Sequence, residues 1–178
     1  LKVKAGLDME REVQVIRSIR EQHPIVEIRV DCNQGFRVDE AIGFCTLMED
    51  LDVSLVEQPV RSEDMEGLFR VVRESRVPIM ADESAHTADD LKELQRGGVR
   101  LVNIKLAKCG GILPAVKMAI ACRKMGMRAM VGCMSECEAA IAAGLHLALS
   151  QEAVSMADLD SHLSLVEDPT RGVESCLL

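Results

Sequence analysis

Apolar residues recur along this chain in two alternating rhythms, short continuous runs and longer stretches in which every third or fourth position is apolar. The runs predict strands at 1–6, 26–33, 53–58, 77–84, 100–106, 128–134 and 154–160. Between them, 8–22 carries Val13, Ile16 and Ile19 at helical spacing, and 112–126 ends on Gly126, the residue a helix C-terminus favours. The alanine-rich stretch 135–149 predicts a tightly packed helix. Strand and helix thus alternate with a period of roughly 25 residues, the mark of an α/β chain. No proline-rich or serine-rich linker interrupts the alternation, so 1–178 is expected to be a single domain.

Three of these runs end in a lone carboxylate, Asp31, Glu57 and Asp82, at near-even intervals. An acid at the exit of a buried strand is costly unless neutralised, and three converging acids are better neutralised by a hard divalent cation than by one another. Lys2 and Lys4 precede the set and Lys105 follows it, so five successive strands end in an ionisable group. In an open doubly wound sheet ligands gather at a switch point between two strands, whereas a (β/α) barrel of the TIM type brings the C-terminal ends of all its strands around one mouth. The acids favour the barrel. Eight strands close one and seven are legible, so the first barrel strand is expected to be missing.

Residues two apart on a strand share a face. Lys2 and Lys4 therefore point the same way, as do Asp31 and Asn33, Asp82 and Ser84, and Asp158 and Asp160. Two stacked amines near a cation should each lose proton affinity, which suits Lys4, nearer the strand exit, as a base with Lys2 as its electrostatic partner. An exposed edge strand is the plainer explanation of Lys2-Val3-Lys4, and the adjacent acids weigh against it. Asn33 and Ser84 are expected to hydrogen-bond behind the metal ligands. Glu83 should face away from Asp82 and pair with a neighbour. Lys108 lies past its strand and should point to solvent. Asp158 and Asp160 form an anionic clamp suited to a substrate ammonium, unless they are a solvated turn.

Composition narrows the partners. The chain has 178 residues, a net charge of −8 and 2% aromatic residues, which argues against nucleic acid. Seven cysteines without a CxxC resemble buried thiols of a reducing, cytoplasmic setting rather than a disulfide framework. Cys133 and Cys137 lack a second pair to complete a zinc set. The longest apolar stretches are too short to span a bilayer. Gly110-Gly111 without the lysine and hydroxyl of a P-loop indicates a tight turn rather than a phosphate cradle. The methionines at 118, 125, 127 and 130 are expected to fill the core.

Together, Lys2-Val3-Lys4, Asp31-Cys32-Asn33, Glu57-Gln58-Pro59, Ala81-Asp82-Glu83-Ser84 and the run from Asn103 to Gly111 resemble the barrel of the enolase superfamily, in its muconate-lactonizing subgroup. The resemblance implies a partial enolase-type catalytic domain without its N-terminal capping domain. It also implies Mg²⁺ held by Asp31, Glu57 and Asp82, and Lys4 and Lys105 as acid and base at the carbon next to a substrate carboxylate, acting through an enediolate. It extends to Gly132-Cys133-Met134-Ser135-Glu136, making Met134 a substrate contact and leaving Glu136 either structural or functional. The Asp158/Asp160 pair resembles the feature by which dipeptide epimerases, for instance of the L-Ala-D/L-Glu type, hold the substrate amine. A small dipeptide substrate is thus expected, with homo-oligomerisation compatible. A cycloisomerase, an o-succinylbenzoate synthase or an inactive truncated barrel are the alternatives.

Overall fold

All seven expected strands form, in the expected order and shorter at their ends: β1 (Lys2–Lys4), β2 (Arg29–Asp31), β3 (Leu55–Glu57), β4 (Ile79–Ala81), β5 (Leu101–Lys105), β6 (Arg128–Gly132) and β7 (Val154–Asp158). This computed structural model describes residues 1–170, so the last eight positions of the expected domain lie outside the described residues. The helices are α1 (Met9–Gln22), α2 (Val38–Asp50), α3 (Met65–Glu74), α4 (Asp90–Arg96), a single turn α5 (Leu106–Cys109), α6 (Ile112–Lys124) and α7 (Glu138–Ser150), followed by a 3-10 turn at Ser161–Ser164. Six β/α units and a seventh strand with its 3-10 turn follow one another in the chain, the alternation of a (β/α) barrel.

Contacts divide the chain into two units, Leu1–Ser84 with Glu93–Arg100, and Ala85–Lys92 with the residues from Leu101 onward. In the first, β1 to β4 form a parallel ladder in chain order. Every residue of β3 and β4 is buried, as expected for strands covered on both faces. Helix α1 contributes Val13 and Ile16, and α2 contributes Phe44 and Met48. Asp8 and Asp64 cap α1 and α3 by accepting the backbone N–H groups of Arg11 and Gly67, which satisfies donors the helix itself leaves unpaired. Phe36 and Phe44 pack as a tilted pair with ring centroids 4.8 Å apart.

The second unit carries the parallel ladder β5–β6–β7, with a register shift between Ala129 and Met130 that leaves Ser155 as the extra residue. Its core joins Val102 and Ile104 to Met118, Cys122, Met130, Val131 and Ile141. Of the four methionines expected inside, Met118, Met127 and Met130 are fully buried and Met125 is half-buried. Gly126 takes φ of +66° just past α6, the left-handed position foreseen for it. Among the described residues no helix is long and apolar enough to cross a membrane.

Candidate active site

Register creates the first cluster. Lys4 pairs with Asp31, and Asp31 pairs with Glu57, so one row across β1, β2 and β3 carries an amine and two carboxylates at the strand exits. Glu57 is in register with Met80, which puts Asp82 two residues further along, just past the end of β4. The three acids are 0–1% exposed.

Two amines compensate this buried charge. Lys2 Nζ lies 3.0 Å from both Asp31 Oδ2 and Glu57 Oε2. Lys4 Nζ donates to Asp31 Oδ2 at 2.7 Å and to Asn33 Oδ1 at 2.8 Å. The shared face foreseen for the two lysines is thus realised, with Lys2 the more enclosed: its side chain is 19% exposed against 66% for Lys4. Asp31 Oδ1 accepts the backbone N–H of Asn33 at 3.1 Å. Asn33 Nδ2 donates to Glu83 Oε1 at 3.3 Å, the neighbour contact expected of Glu83. Among the described residues no three acids, imidazoles or thiols stand close enough to hold an ion in this arrangement, in which the Lys2 ammonium bridges Asp31 and Glu57. The donor chemistry nonetheless fits a hard cation, because all three groups are buried carboxylates and two ammonium groups leave them net negative.

Gln58 organises the cluster, a role the sequence reading did not assign although Gln58 lies inside one of its motifs. Fully buried, it accepts the N–H groups of Asp82 and Ser84 on Oε1 at 2.9 and 3.1 Å. Its Nε2 donates to Val60 O at 3.0 Å and to Ser84 Oγ at 2.9 Å. Ser84 is thereby linked to Asp82 through Gln58.

The second unit has a matching row. Lys105 pairs with Gly132, and Gly132 pairs with Asp158, so the middle position between amine and carboxylate carries no side chain. A β-carbon on Gly132 would lie 2.5 Å from Asn103 Oδ1, which is why only glycine admits the buried Asn103 amide there. Lys105 is 8% exposed. Contrary to expectation, Lys108 folds back and donates to Asn103 O at 2.8 Å, because the single turn α5 returns it over β5.

The shared strand face foreseen for Asp158 and Asp160 is not realised. The strand stops at Asp158, and Asp160 opens the 3-10 turn at φ −113°, ψ −2°, so strand alternation does not place its carboxylate. Leu159 does pack toward the helix side, with Cδ2 3.0 Å from where a β-carbon of Gly144 on α7 would lie. Met134 is exposed on the loop after β6, where its N–H donates to Glu136 Oε1 at 3.2 Å. Cys133 Sγ donates to Asp158 O at 3.3 Å. A further element not visible in the sequence pattern is the cap of α7. Asp168 accepts the Glu138 N–H at 2.6 Å and Thr170 Oγ1 accepts that of Ala139 at 3.1 Å.

Parallel β/α units with ionisable groups at the C-terminal strand ends are the arrangement of the α/β class built on the (β/α) barrel. The enolase C-terminal domain-like family model matches residues 1–174, and the chain belongs to that family. It is 39% identical over 175 residues to the hydrophobic dipeptide epimerase of Enterococcus faecalis, covering 97% of this chain and 49% of that protein. It is 40% identical over 177 residues to the L-Ala-D/L-Glu epimerase of Bacillus subtilis, covering 97% of this chain and 48% of that protein. Among solved structures, the Enterococcus faecalis dipeptide epimerase complexed with Mg and the dipeptide L-Leu-L-Tyr superimposes with a TM-score of 0.91 at 39% identity, over 95% of this chain and 49% of the other. The substrate-liganded Bacillus subtilis L-Ala-D/L-Glu epimerase gives 0.90 at 39% identity, over 94% and 48%. The chain thus spans about half the length of the curated relatives it matches. The enolase-type resemblance carried by the motifs is borne out.

Proposed function

We propose that the protein carrying this chain is a Mg²⁺-dependent dipeptide epimerase of the cytoplasm, inverting the carbon next to the substrate carboxylate with Lys4 and Lys105 as the two proton-transferring amines. The observation that carries this reading is the in-register row of Lys4, Asp31 and Glu57 with its acids fully buried, a costly arrangement that simple stability does not require. The named relatives, dipeptide epimerases at 39–40% identity, support the substrate class. The six free cysteines among the described residues fit a reducing compartment.

Asp31, Glu57 and Asp82 are the residues that would hold the ion, with Asn33, Ser84 and Gln58 fixing their positions through hydrogen bonds. When bound, Mg²⁺ supplies stabilisation of the negative charge that proton removal places on the substrate carboxylate. One lysine takes the α proton as a neutral amine, and inversion requires the other to deliver a proton to the opposite face of the planar carbon. Lys2 holds the Asp31 and Glu57 carboxylates. Asp158 and Asp160 hold the substrate ammonium, a group that cycloisomerase substrates lack, and Met134 contacts the substrate.

The test is deuterium incorporation at the α carbon of a dipeptide library in D₂O, run on the full-length protein. Exchange should occur with Mg²⁺ and cease with EDTA. Lys4→Ala and Lys105→Ala should each slow epimerisation by about 10²–10⁴-fold, each retaining exchange from only one of the two epimers. Exchange from both epimers in both variants would reject the two-lysine assignment.

A further inference from the structure

Because β7 ends at Asp158, the ladder leaves the carboxylate of Asp160 unplaced, and something beyond the sheet has to hold it. Apolar packing does little of this. Between Asp160 and Thr170, Leu163 and Val166 are 74% and 96% exposed. The segment is held instead by hydrogen bonds to the start of α7, all within the second unit. Ser161 Oγ, on the residue after Asp160, accepts the Glu136 N–H at 3.2 Å. Asp168 Oδ2 accepts the Glu138 N–H, and Thr170 Oγ1 accepts that of Ala139. Between these anchors the 3-10 turn closes on itself, the Leu163 N–H donating to Asp160 O at 3.0 Å and Ser164 Oγ to Ser161 O at 2.7 Å.

Asp168 is the centre of the set. Its Oδ1 accepts the backbone N–H of Thr170 at 2.8 Å and the Thr170 hydroxyl at 2.7 Å. With its proton directed at Asp168, that hydroxyl turns a lone pair to Ala139, so one carboxylate satisfies one helix donor directly and orients the acceptor of the next. A negative group at a helix N-terminus is further favoured by the helix dipole. Desolvation opposes the ionised form, but the hydrogen bonds from Thr170 and Glu138 and the charge of His162 in the 3-10 turn outweigh it and hold the Asp168 carboxyl below its ordinary value. A helix needing only a cap would carry Ser, Thr, Asp or Asn at its own N-cap position, where α7 has Cys137. A cap supplied from 30 positions further along the chain does a second thing: it ties down the loop that follows β7.

We infer that Asp168 is a positioning residue for the substrate ammonium: by fastening the segment after β7 to the first turn of α7, it sets where Asp160 stands and so how tightly the amine is held. The inference rests on the epimerase reading and deepens it. Asp168 acts through Asp160, so its loss weakens binding of the amine. The two lysines and the three metal-binding acids belong to other strands and keep their places.

The experiment follows epimerisation of L-Ala-L-Leu and L-Ala-L-Glu, each with a free and with an N-acetylated amine, by the full-length protein with Mg²⁺. The wild type should favour the free amine. Asp168→Ala should raise KM for the free-amine dipeptides by about 10–100-fold, leaving kcat, Mg²⁺ affinity and KM for the acetylated forms close to their wild-type values. Thr170→Val is close in size but can neither accept from Ala139 nor donate to Asp168. It should move KM the same way by a smaller factor, and it carries the test if Asp168→Ala fails to fold. In an Asp160→Asn background, Asp168→Ala should leave the amine preference where Asp160→Asn alone puts it, since the two residues act as one. Additive losses would overturn the route through Asp160. A wild-type preference for the free amine in both Asp168→Ala and Thr170→Val, whatever their stability, would reduce Asp168 to a helix cap and leave the epimerase standing. Turnover by the wild type without any preference for the free amine would remove the clamp and this inference together, with the two-lysine chemistry intact. Absence of exchange on every dipeptide would bring down the epimerase reading as well.

Discussion

Gln58 uses its whole carboxamide to fix the exits of β3 and β4, and the cost of losing it follows from the count of groups it satisfies. Replacing it with leucine leaves the N–H groups of Asp82 and Ser84 and the Val60 carbonyl buried without that partner. At about 1–3 kcal/mol for each unsatisfied buried group, Gln58→Leu should lose at least about 3 kcal/mol in urea unfolding. Freed from its anchor, Asp82 should shift, weakening Mg²⁺ by about 10–100-fold in a calorimetric titration. An unchanged Mg²⁺ affinity with lowered stability would make Gln58 structural only. The acids and lysines were legible in the sequence because charge on an apolar strand is rare enough to stand out. Gln58 was not, since an uncharged amide between Glu57 and Pro59 breaks no pattern, and its φ of +34° has no signature in a glutamine. Gly132 was likewise invisible, because a glycine in a strand announces a close approach without saying which side chain approaches.

Periodicity located every strand, since a buried parallel strand must be a short apolar run, but it overran their ends. The turns after β2 and β7 show why. Asn33 and Gln34 take φ of +41° and +68°, and Asp160 turns to φ −113°, ψ −2° just before the 3-10 turn, so polar residues that extend an alternating pattern on paper have already left the ladder. The loops after β1 and β2 also meet backbone to backbone: a β-carbon on Gly35 would lie 2.1 Å from the Gly6 carbonyl oxygen, and one on Gly6 would lie 2.3 Å from that of Cys32. No side chain can yield at such a contact, so Gly35→Ala must separate the two loops that follow Lys4 and Asp31. The expected result is a loss of about 1–3 kcal/mol together with faster amide hydrogen exchange at Ala5, whose N–H donates to Asp31 O at 2.8 Å. Unchanged protection at that amide would show that the strand exits tolerate the separation.

The molecule as a whole buries acids that never ionise in use. Burial pushes the Cys45 and Cys122 thiols from 9.0 up to about 11, and it raises Cys32 well above its ordinary value, aided by Cys45 and the Asp31 carboxylate. These shifts are a stability statement, because a thiol that ionises freely in the unfolded chain and resists ionisation in the fold favours unfolding once the pH passes its unfolded value. Below pH 9 both states hold the proton and the thiols are neutral in their effect. Between pH 9 and 11 the native state binds more protons than the unfolded one, so stability falls as pH rises, and above 11 the loss is complete. At about 1.4 kcal/mol per unit, each of Cys45 and Cys122 removes roughly 3 kcal/mol across the window, a large share of a typical domain's 5–15 kcal/mol. Urea denaturation under reductant should therefore show a midpoint that drops steeply from pH 9 to 11. The Cys45→Ala/Cys122→Ala double variant, whatever its stability at neutral pH, should follow a slope shallower by roughly 5 kcal/mol over the same range. Other groups titrating there, lysines above all, act alike in both proteins and cancel in the comparison. Parallel slopes would mean that neither thiol is held neutral by the fold.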